Sequence, residues 1–313
     1  MGSAYIFTRT DGVWTEQQKL TAPVRNAGDW FGTQIAVHGD TAIVGARTAD
    51  DQGVDSGAAF VFTRAADIWS LEATLLPNGG GPGDEFGMAV DIDADTAAVS
   101  ALKDDDNGTD SGAVYIFTRS DMSWSEQQKL LATDDDPVGD QLGTQLVVQG
   151  ETLLVGGLTT RAAYLFTRLD GSWAQQAKIE TTDTFAGGFG TSVALDGQFV
   201  VIGARASNDV ATGSGSAFVF DLDPDAVLVC LEDLTGNVMS FNLRQGIENA
   251  LDAKLEAILF ALDDASNGDA IQATNMLIAF NQNVEAQRGV HLTDDQADTL
   301  IGSAQVCIDL IGN

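Results

Sequence analysis

The pentapeptide Tyr5-Ile6-Phe7-Thr8-Arg9 recurs as Phe60-Val61-Phe62-Thr63-Arg64, Tyr115-Ile116-Phe117-Thr118-Arg119 and Tyr164-Leu165-Phe166-Thr167-Arg168. A partial copy stands at Phe218-Val219-Phe220-Asp221. The arginines lie 55, 55 and 49 residues apart, and a tryptophan follows the central phenylalanine by seven positions in each full copy (Trp14, Trp69, Trp124, Trp173). A fixed period of this size means one supersecondary unit repeated, hence an array, a propeller or a solenoid. Function in such a fold sits on surfaces that the repeats build jointly.

One unit, from Phe31 to Asn78, shows the elements. Phe31 to His38 is a short apolar run, Gly39-Asp40 a tight turn, and Thr41 to Arg47 a second run. A polar Asp/Gly loop covers Thr48 to Gly57; Ala58 to Arg64 and Trp69 to Leu76 hold two more runs. Short runs rich in Val, Ile and Phe, divided by Gly and Asp, read as strands. Four strands in about 55 residues make a propeller blade. The middle runs are apolar on both faces, as suits strands pressed between two neighbouring sheets. The unit recurs from Phe86-Gly87, Leu142-Gly143 and Phe189-Gly190, and residues 2 to 21 supply only a third and fourth strand. The count is seventeen strands: two, then four, four and four, then three. Either residues 16 to 21 close the last blade, giving four blades, or the array stays open.

Phe-Gly at the start of a strand, a Val44-Gly45-Ala46 strand, and Ser56-Gly57-Ala58 leading into Phe60-Val61-Phe62 resemble the FG-GAP repeat of integrin alpha chains and bacterial surface proteins. The resemblance covers residues 2 to about 222. It implies a β-propeller, usually of seven blades, and an extracellular or cell-surface setting. It also implies cell adhesion and calcium as family themes. Seven units of this period need about 385 residues, so the expectation here is four to five blades in a partial or open ring.

Acidic residues number 46 against 15 basic ones, for a formal net charge of -31. Such a chain repels nucleic acid and anionic membranes, and nucleic acid is excluded as a partner. Two compatible causes of the acidity remain open: calcium held by carboxylates, and a salty habitat in which an Asp-rich surface keeps protein in solution. No run of 18 apolar residues exists, so no membrane insertion is expected. No signal peptide is visible at Met1. Within the resemblance, this points to a fragment of a longer multidomain protein.

The composition changes after Pro224. Of 34 glycines, 28 precede it, and neither Pro nor Trp follows. Domains are therefore placed at 1–223 and 224–313. Ile247, Leu251, Leu255, Ile258 or Leu259, and Leu262 form a helical stripe ended by Asn267-Gly268. Ile271, Met276, Leu277, Phe280 and Val284 form a second, stopped by Gly289. Thr293 to Gln296 is a capping box. It opens a helix that turns Ala297, Leu300, Ile301, Ala304, Cys307, Ile308 and Ile311 inward, completing a small bundle. Leu251 to Leu255, Val284 to Gly289 and Asp298 to Ile301 resemble the FIMAH module, a helical domain of extracellular multidomain proteins. Cys230 and Cys307 read either as a disulfide, worth about 4 kcal/mol on the loop-entropy model, or as two buried thiols.

Two loops are candidate calcium sites: Asp50, Asp51 and Asp55 in the first, and Asp104, Asp106, Asn107 and Asp110 in the second. Alternating Asp and Asn around a Gly can wrap a hard cation, although neither loop has EF-hand order. The competing reading is that Asp, Asn and Gly are ordinary turn formers. The third unit has no such loop, since Gly157 to Arg161 replaces it; the fourth, from Ser207 to Gly215, is weaker. Asp91, Asp93 and Asp95 form a further candidate, and Asp134 to Asp136 with Asp140 read as a solvated connection. The catalytic inventory is poor: two histidines, His38 and His291, no Gly-x-Ser-x-Gly elbow, and only a superficial phosphate-loop look at Gly213 to Ser216. The tryptophan series reads as a packing anchor, whereas off-register Trp30 is the candidate ligand contact. The repeated arginines are expected to pair with Asp or backbone oxygens at the sheet edge.

These features together predict a non-enzymatic extracellular module that binds a protein or glycan through propeller loops. The alternatives are an accessory region of a secreted polysaccharide-degrading or other hydrolytic enzyme, and a structural spacer.

Overall fold

A computed structural model describes the chain except Met1, Arg25, 134–140, Thr160, 182–185, 209–210, 212, 223–230, 232–233, 242, 244–246, 248–249, 252, 256, 259–268 and 312–313. It divides into two compact units, Met1–Val219 and Phe220–Asn313.

The first unit is an open, propeller-type array of five antiparallel sheets, each a simple meander. The first sheet is β1 (Ala4–Thr10) with β2 (Val13–Leu20). The second is β3 (Ile35–His38), β4 (Thr41–Ala46), β5 (Ala58–Ala65) and β6 (Ile68–Leu75). The third is β7 (Phe86–Asp93), β8 (Thr96–Ala101), β9 (Ala113–Ser120) and β10 (Ser123–Leu130). The fourth is β11 (Leu142–Gln149), β12 (Thr152–Gly157), β13 (Ala162–Leu169) and β14 (Ser172–Glu180). The fifth is β15 (Phe189–Asp196), β16 (Phe199–Ala204) and β17 (Ser216–Asp221). Residues 13–20 pair with β1 and do not join the fifth sheet, so that closure is not the one adopted.

Local chemistry explains the register. Asp11-Gly12 and Asp170-Gly171 turn with positive φ at both residues (51° and 83°; 50° and 83°), the two-residue hairpin that Asp-Gly favours. In each complete third–fourth strand pair the register shifts by a bulge at or opposite the central Phe. All six residues of β4 are buried, as are all six of β8, which is why these runs carry no in–out alternation.

The sheets pack through alternate residues. Ala42, Val44, Phe60 and Phe62 turn toward Ala4, Leu20 and Phe31 on one side. Ile43, Ala59 and Val61 turn toward Phe86, Val90 and Ile92 on the other. The Phe of each Phe-Gly pair is the wedge. Phe86 is fully buried and lies edge-on to Tyr115 and Phe117, with ring centroids 5.5 and 6.0 Å away.

The second unit is helical, with α1 (Asp269–Gln287) and α2 (Asp294–Ile311) as its long elements. Leu251, Leu255, Ile258, Leu277, Phe280, Val284, Ala297, Leu300, Ala304 and Cys307 share its core. The capping box forms as the sequence predicts: the Gln296 amide donates to Thr293 Oγ1 at 3.2 Å and the Thr293 amide to Gln296 Oε1 at 3.0 Å. Gly289, at φ 70°, follows the end of α1. Leu259, Leu262, Asn267 and Gly268 lie outside the described residues. No described helix is long and apolar enough to cross a membrane.

Candidate functional site

The loops joining second to third strands and the connections between sheets gather at one end of the first unit. Their geometry is set by the loop's own carboxylates. Asp50 Oδ1 accepts the Asp55 amide at 2.9 Å, and Asp105 Oδ1 accepts the Asp110 amide at 2.7 Å. In the fourth unit Asn208 Oδ1 accepts the Gly213 amide at 2.7 Å. A neutral amide does there what two carboxylates do elsewhere, so this brace needs an oxygen acceptor and no charge. Ser56 and Ser111 close the same loops by donating to the carbonyls of Ala49 and Asp104.

The second loop contains an internal cation. Asp104 is 2% exposed, and both of its oxygens accept from Lys129 Nζ, at 2.8 and 2.7 Å. Asp104 also accepts from the Tyr115 hydroxyl at 2.8 Å, and Asp106 accepts from the same ammonium at 2.5 Å. Burial alone would lower the Lys129 pKa, but its hydrogen bonds to Asp104 and Asp106 outweigh this and raise it. Burial, reinforced by Asp104, likewise pushes the Tyr115 phenol up. Asn107 is turned away, its side-chain amide donating to the Ala132 carbonyl at 2.7 Å. Of the second-loop residues singled out from sequence, Asp104 and Asp106 are thus brought together, around an ammonium.

The first loop differs at two positions. Ala49 stands where Asp104 stands, and Thr74 where Lys129 stands. A pocket of about 220 Å³ lies there, lined among others by Asp29, Asp50, Asp51, Phe60 and Thr74. Burial and then the nearby Asp29 raise the Asp51 pKa. Asp29 is buried and accepts the Asn26 amide at 2.8 Å. As a calcium ligand set this is thin: among the described residues no group of three or more His, Cys, Asp or Glu is arranged to hold a metal ion.

Trp30, next in sequence to Asp29, lies in the left-handed region at φ 54° and is 56% exposed. The Arg47 guanidinium covers one face of its ring, 4.5 Å from the centroid. Arg47 pairs with Glu85 at 3.0 Å, and Glu85 with Lys103 at 2.6 Å. An aromatic, two cations and an acid therefore run in a row across two sheets. Sequence reasoning found Trp30 but missed Arg47 and Lys129. A usable signal existed for Lys129. Lys19, Lys129 and Lys178 each lie over a tyrosine (Tyr5, Tyr115, Tyr164), whereas Thr74 accompanies Phe60.

The other candidates have structural partners. Asp91 accepts the Val148 amide at 2.9 Å, Asp93 the Gly150 amide at 2.6 Å, and Asp95 pairs with Arg119 Nε at 2.7 Å. His38 Nδ1 lies 3.0 Å from Asp93. Arg64 pairs with Asp40, Arg119 with Asp95 and Arg168 with Glu151, each pinning the third strand to the turn between the first two. The guanidiniums also cover Trp69, Trp124 and Trp173 at 5.7, 5.2 and 5.2 Å. Trp69 and Trp173 are buried anchors, whereas Trp14 is exposed. The Trp173 backbone is clamped by the Gln128 amide through two bonds of 2.9 and 2.8 Å. Asp134, Asp135, Asp136 and Asp140 lie outside the described residues, as does Cys230. Cys307 is buried in the helical core, and no described cysteine is free.

The family match agrees with this architecture. The FG-GAP repeat family matches residues 14–62, 69–117 and 173–220. A search of curated proteins finds no match. Among solved structures, Pseudomonas aeruginosa periplasmic gluconolactonase is similar at 15% identity and TM-score 0.44, over 71% of this chain and 64% of its own length. Saccharomyces cerevisiae Sqt1 is similar at 13% identity and TM-score 0.38, over 64% of this chain and 51% of its own. A putative 6-phosphogluconolactonase from Bacteroides fragilis is similar at 13% identity and TM-score 0.33, over 71% and 77%. The chain thus spans less than two thirds of the length of the first two.

Proposed function

We propose that the repeat unit is a non-enzymatic binding module of a cell-surface or secreted protein, taking a protein or glycan ligand on its loop end. The observation that carries this reading is Trp30, 56% exposed, adjacent in sequence to the pocket-lining Asp29 and covered on its ring by the Arg47 guanidinium. A tryptophan face accepts the apolar face of a sugar ring or an aliphatic side chain, while the row of Arg47, Glu85 and Lys103 supplies charged hydrogen-bonding groups beside it. FG-GAP repeats support a binding or structural module in general; adhesion is the finer proposal. The helical unit is proposed to be FIMAH-like and to carry a Cys230–Cys307 bridge.

The test is a binding panel of polysaccharides and matrix proteins with the intact chain and Trp30→Ala. Saturable binding that weakens at least tenfold in the variant supports the proposal. Binding that is indifferent to Trp30 and Arg47 would place the ligand elsewhere. Cleavage of a polysaccharide would favour the hydrolase-associated reading, and silence across the panel the spacer reading.

A further inference from the structure

We propose that the pocket beside the first Asp/Gly loop is a binding site for an alkylammonium group, which takes there the place that Lys129 takes in the next sheet. The inference rests neither on Trp30 nor on calcium. The repeat supplies the comparison. At the 55-residue offset of Phe31 and Phe86, Asp29 matches Asp84, Ala49 matches Asp104, Asp51 matches Asp106, Phe60 matches Tyr115 and Thr74 matches Lys129. The hydrogen bonds keep this correspondence: Asp29 accepts the Asn26 amide at 2.8 Å and Asp84 the Gly81 amide at 2.7 Å, each three residues back. Phe60 is the cross-strand partner of Thr74, as Tyr115 is of Lys129.

In the third sheet the place is filled from within. The Lys129 ammonium bonds Asp104 and Asp106 and lies 5.1 Å from the centre of the Tyr115 ring. Its charge also acts on Asp84, where it partly offsets the rise that burial gives that carboxyl. In the second sheet three side chains differ together. Thr74 is too short to reach the place, Ala49 carries no carboxylate, and Phe60 keeps the ring without the hydroxyl that Asp104 accepts in the third sheet. What these differences leave is the pocket of about 220 Å³, where a single water needs only about 10–15 Å³. A carboxylate at position 49 with no lysine beside it would be a buried charge without its cation, which is costly. With Ala49 the pocket carries no such cost and stands preformed.

The walls state what fits. Asp29 is 6% exposed, and among the described residues the Asn26 amide is its one hydrogen-bond partner. A carboxylate has about four acceptor sites, so Asp29 has capacity to spare. Asp51 is near enough for the charge of Asp29 to raise its pKa. Phe60 supplies a ring, and Ala46 and Ala49 supply apolar wall; none of the described lining residues is basic. An alkylammonium answers each of these groups. Its methylenes lie along the alanines, its head sits by the two carboxylates and the Phe60 ring, and the Thr74 hydroxyl is a further acceptor for its N–H groups. A neutral chain of the same length would fill the space and leave the carboxylates without a cation.

The probes are Nα-acetyl-lysine methylamide, which presents the side chain as a polypeptide does, and cadaverine, a free diamine. Each is titrated into the full chain by calorimetry at fixed ionic strength with chelator present, so that this result and any calcium response are read apart. The Nε-acetylated lysine derivative, which keeps the chain and loses the charge, is the control. Saturable binding of the charged probes is expected. Asp51→Asn should weaken it at least tenfold, Thr74→Lys should abolish it by filling the place from within, and Asp106→Asn should leave it unchanged. Asp51 and Thr74 are exposed, so these changes leave the core intact; circular dichroism checks this. The Asp51 carboxyl, held above its ordinary range by burial and then by Asp29, should titrate lower with a probe bound. Tighter binding of the lysine derivative makes a partner polypeptide the source of the ammonium, tighter binding of cadaverine a free amine, and both support the site. Equal binding of the acetylated control, binding indifferent to Asp51, binding that survives Thr74→Lys, or no binding of either charged probe overturns the proposal.

Discussion

A Cβ on Gly45 would lie 2.1 Å from the carbonyl oxygen of Gly87, one sheet away. The two glycines of the repeat signature are thus halves of one contact: the Phe-Gly turn of one sheet passes over the glycine of the preceding sheet's second strand. Gly156 and Gly190 repeat it at 2.0 Å. The obstructing atom is backbone, so no rotamer change relieves it. Gly45→Ala is expected to destabilise by about 2 kcal/mol or more, as overpacking does. Ser100, which stands in the corresponding place, accepts the Ala89 amide at 2.9 Å. Ser100→Gly should therefore also destabilise, by about 1 kcal/mol. Urea unfolding of both variants checks this; a neutral Gly45→Ala would refute the contact.

The repeated arginines are not equivalent. Arg64 meets Asp40, whose side chain is 63% exposed, and such a surface pair is worth about 0–1 kcal/mol. Arg119 in addition reaches Glu72, whose side chain is only 6% exposed, at 3.4 Å. Removing Arg119 leaves a buried carboxylate without its cation, a change that costs about 3 kcal/mol. Arg119→Met should thus lower the unfolding midpoint much more than Arg64→Met. Adding Glu72→Gln should recover most of the loss; failure to recover would mean that Arg119 acts through packing on Trp124.

How much of this was legible in the sequence follows from what each signal encodes. The period, the seventeen strands and their grouping were readable because hairpin turns and two-sided burial leave marks within a few residues. The capping box was readable for the same reason. The partners of Asp104, Asp91 and Glu72 were not. Lys129 is 25 residues from Asp104, and the Val148 amide that Asp91 accepts is 57 residues away in another sheet. An Asp-rich loop looks alike in sequence whether it wraps a metal, a lysine or its own backbone. Only the substitution of Thr74 for lysine, together with Phe60 for tyrosine, hinted that the first loop differs from the second.

That difference yields a prediction for the pocket lined by Asp29, Asp51 and Thr74. Calcium in the second loop would have to displace the Lys129 ammonium, so calcium is proposed only for the first. A lysine at position 74 should supply there what Lys129 supplies in its own sheet. Thr74→Lys is expected to raise the melting temperature in calcium-free buffer and to bring the Asp51 pKa down. In wild type, calcium at about 100 times its dissociation constant should stabilise by about 2.7 kcal/mol. Thr74→Lys and Asp51→Asn should abolish that response, and Asp106→Asn should leave it. No wild-type shift at constant ionic strength removes calcium from the account and leaves the Thr74→Lys prediction standing.

Asp91 gives the molecule a pH dependence of known sign. Its carboxyl is half-buried under the fourth sheet; burial raises its pKa above the ordinary 3.8, and the Val148 amide only partly offsets this. The folded state therefore holds a proton on Asp91 where the unfolded state has lost it. Stability falls as pH rises from about 4 through the raised folded value, and the cost is complete above it. Asp91→Asn keeps an oxygen for the Val148 amide and removes the charge. The variant should match wild type near pH 3.5, gain on it through the titration window, and hold a constant advantage at neutral pH. Denaturant midpoints of both proteins across this range measure the gain directly. A variant less stable than wild type at pH 7 would mean that the ionised carboxylate, through its bonds to the fourth sheet, is worth more than its burial costs.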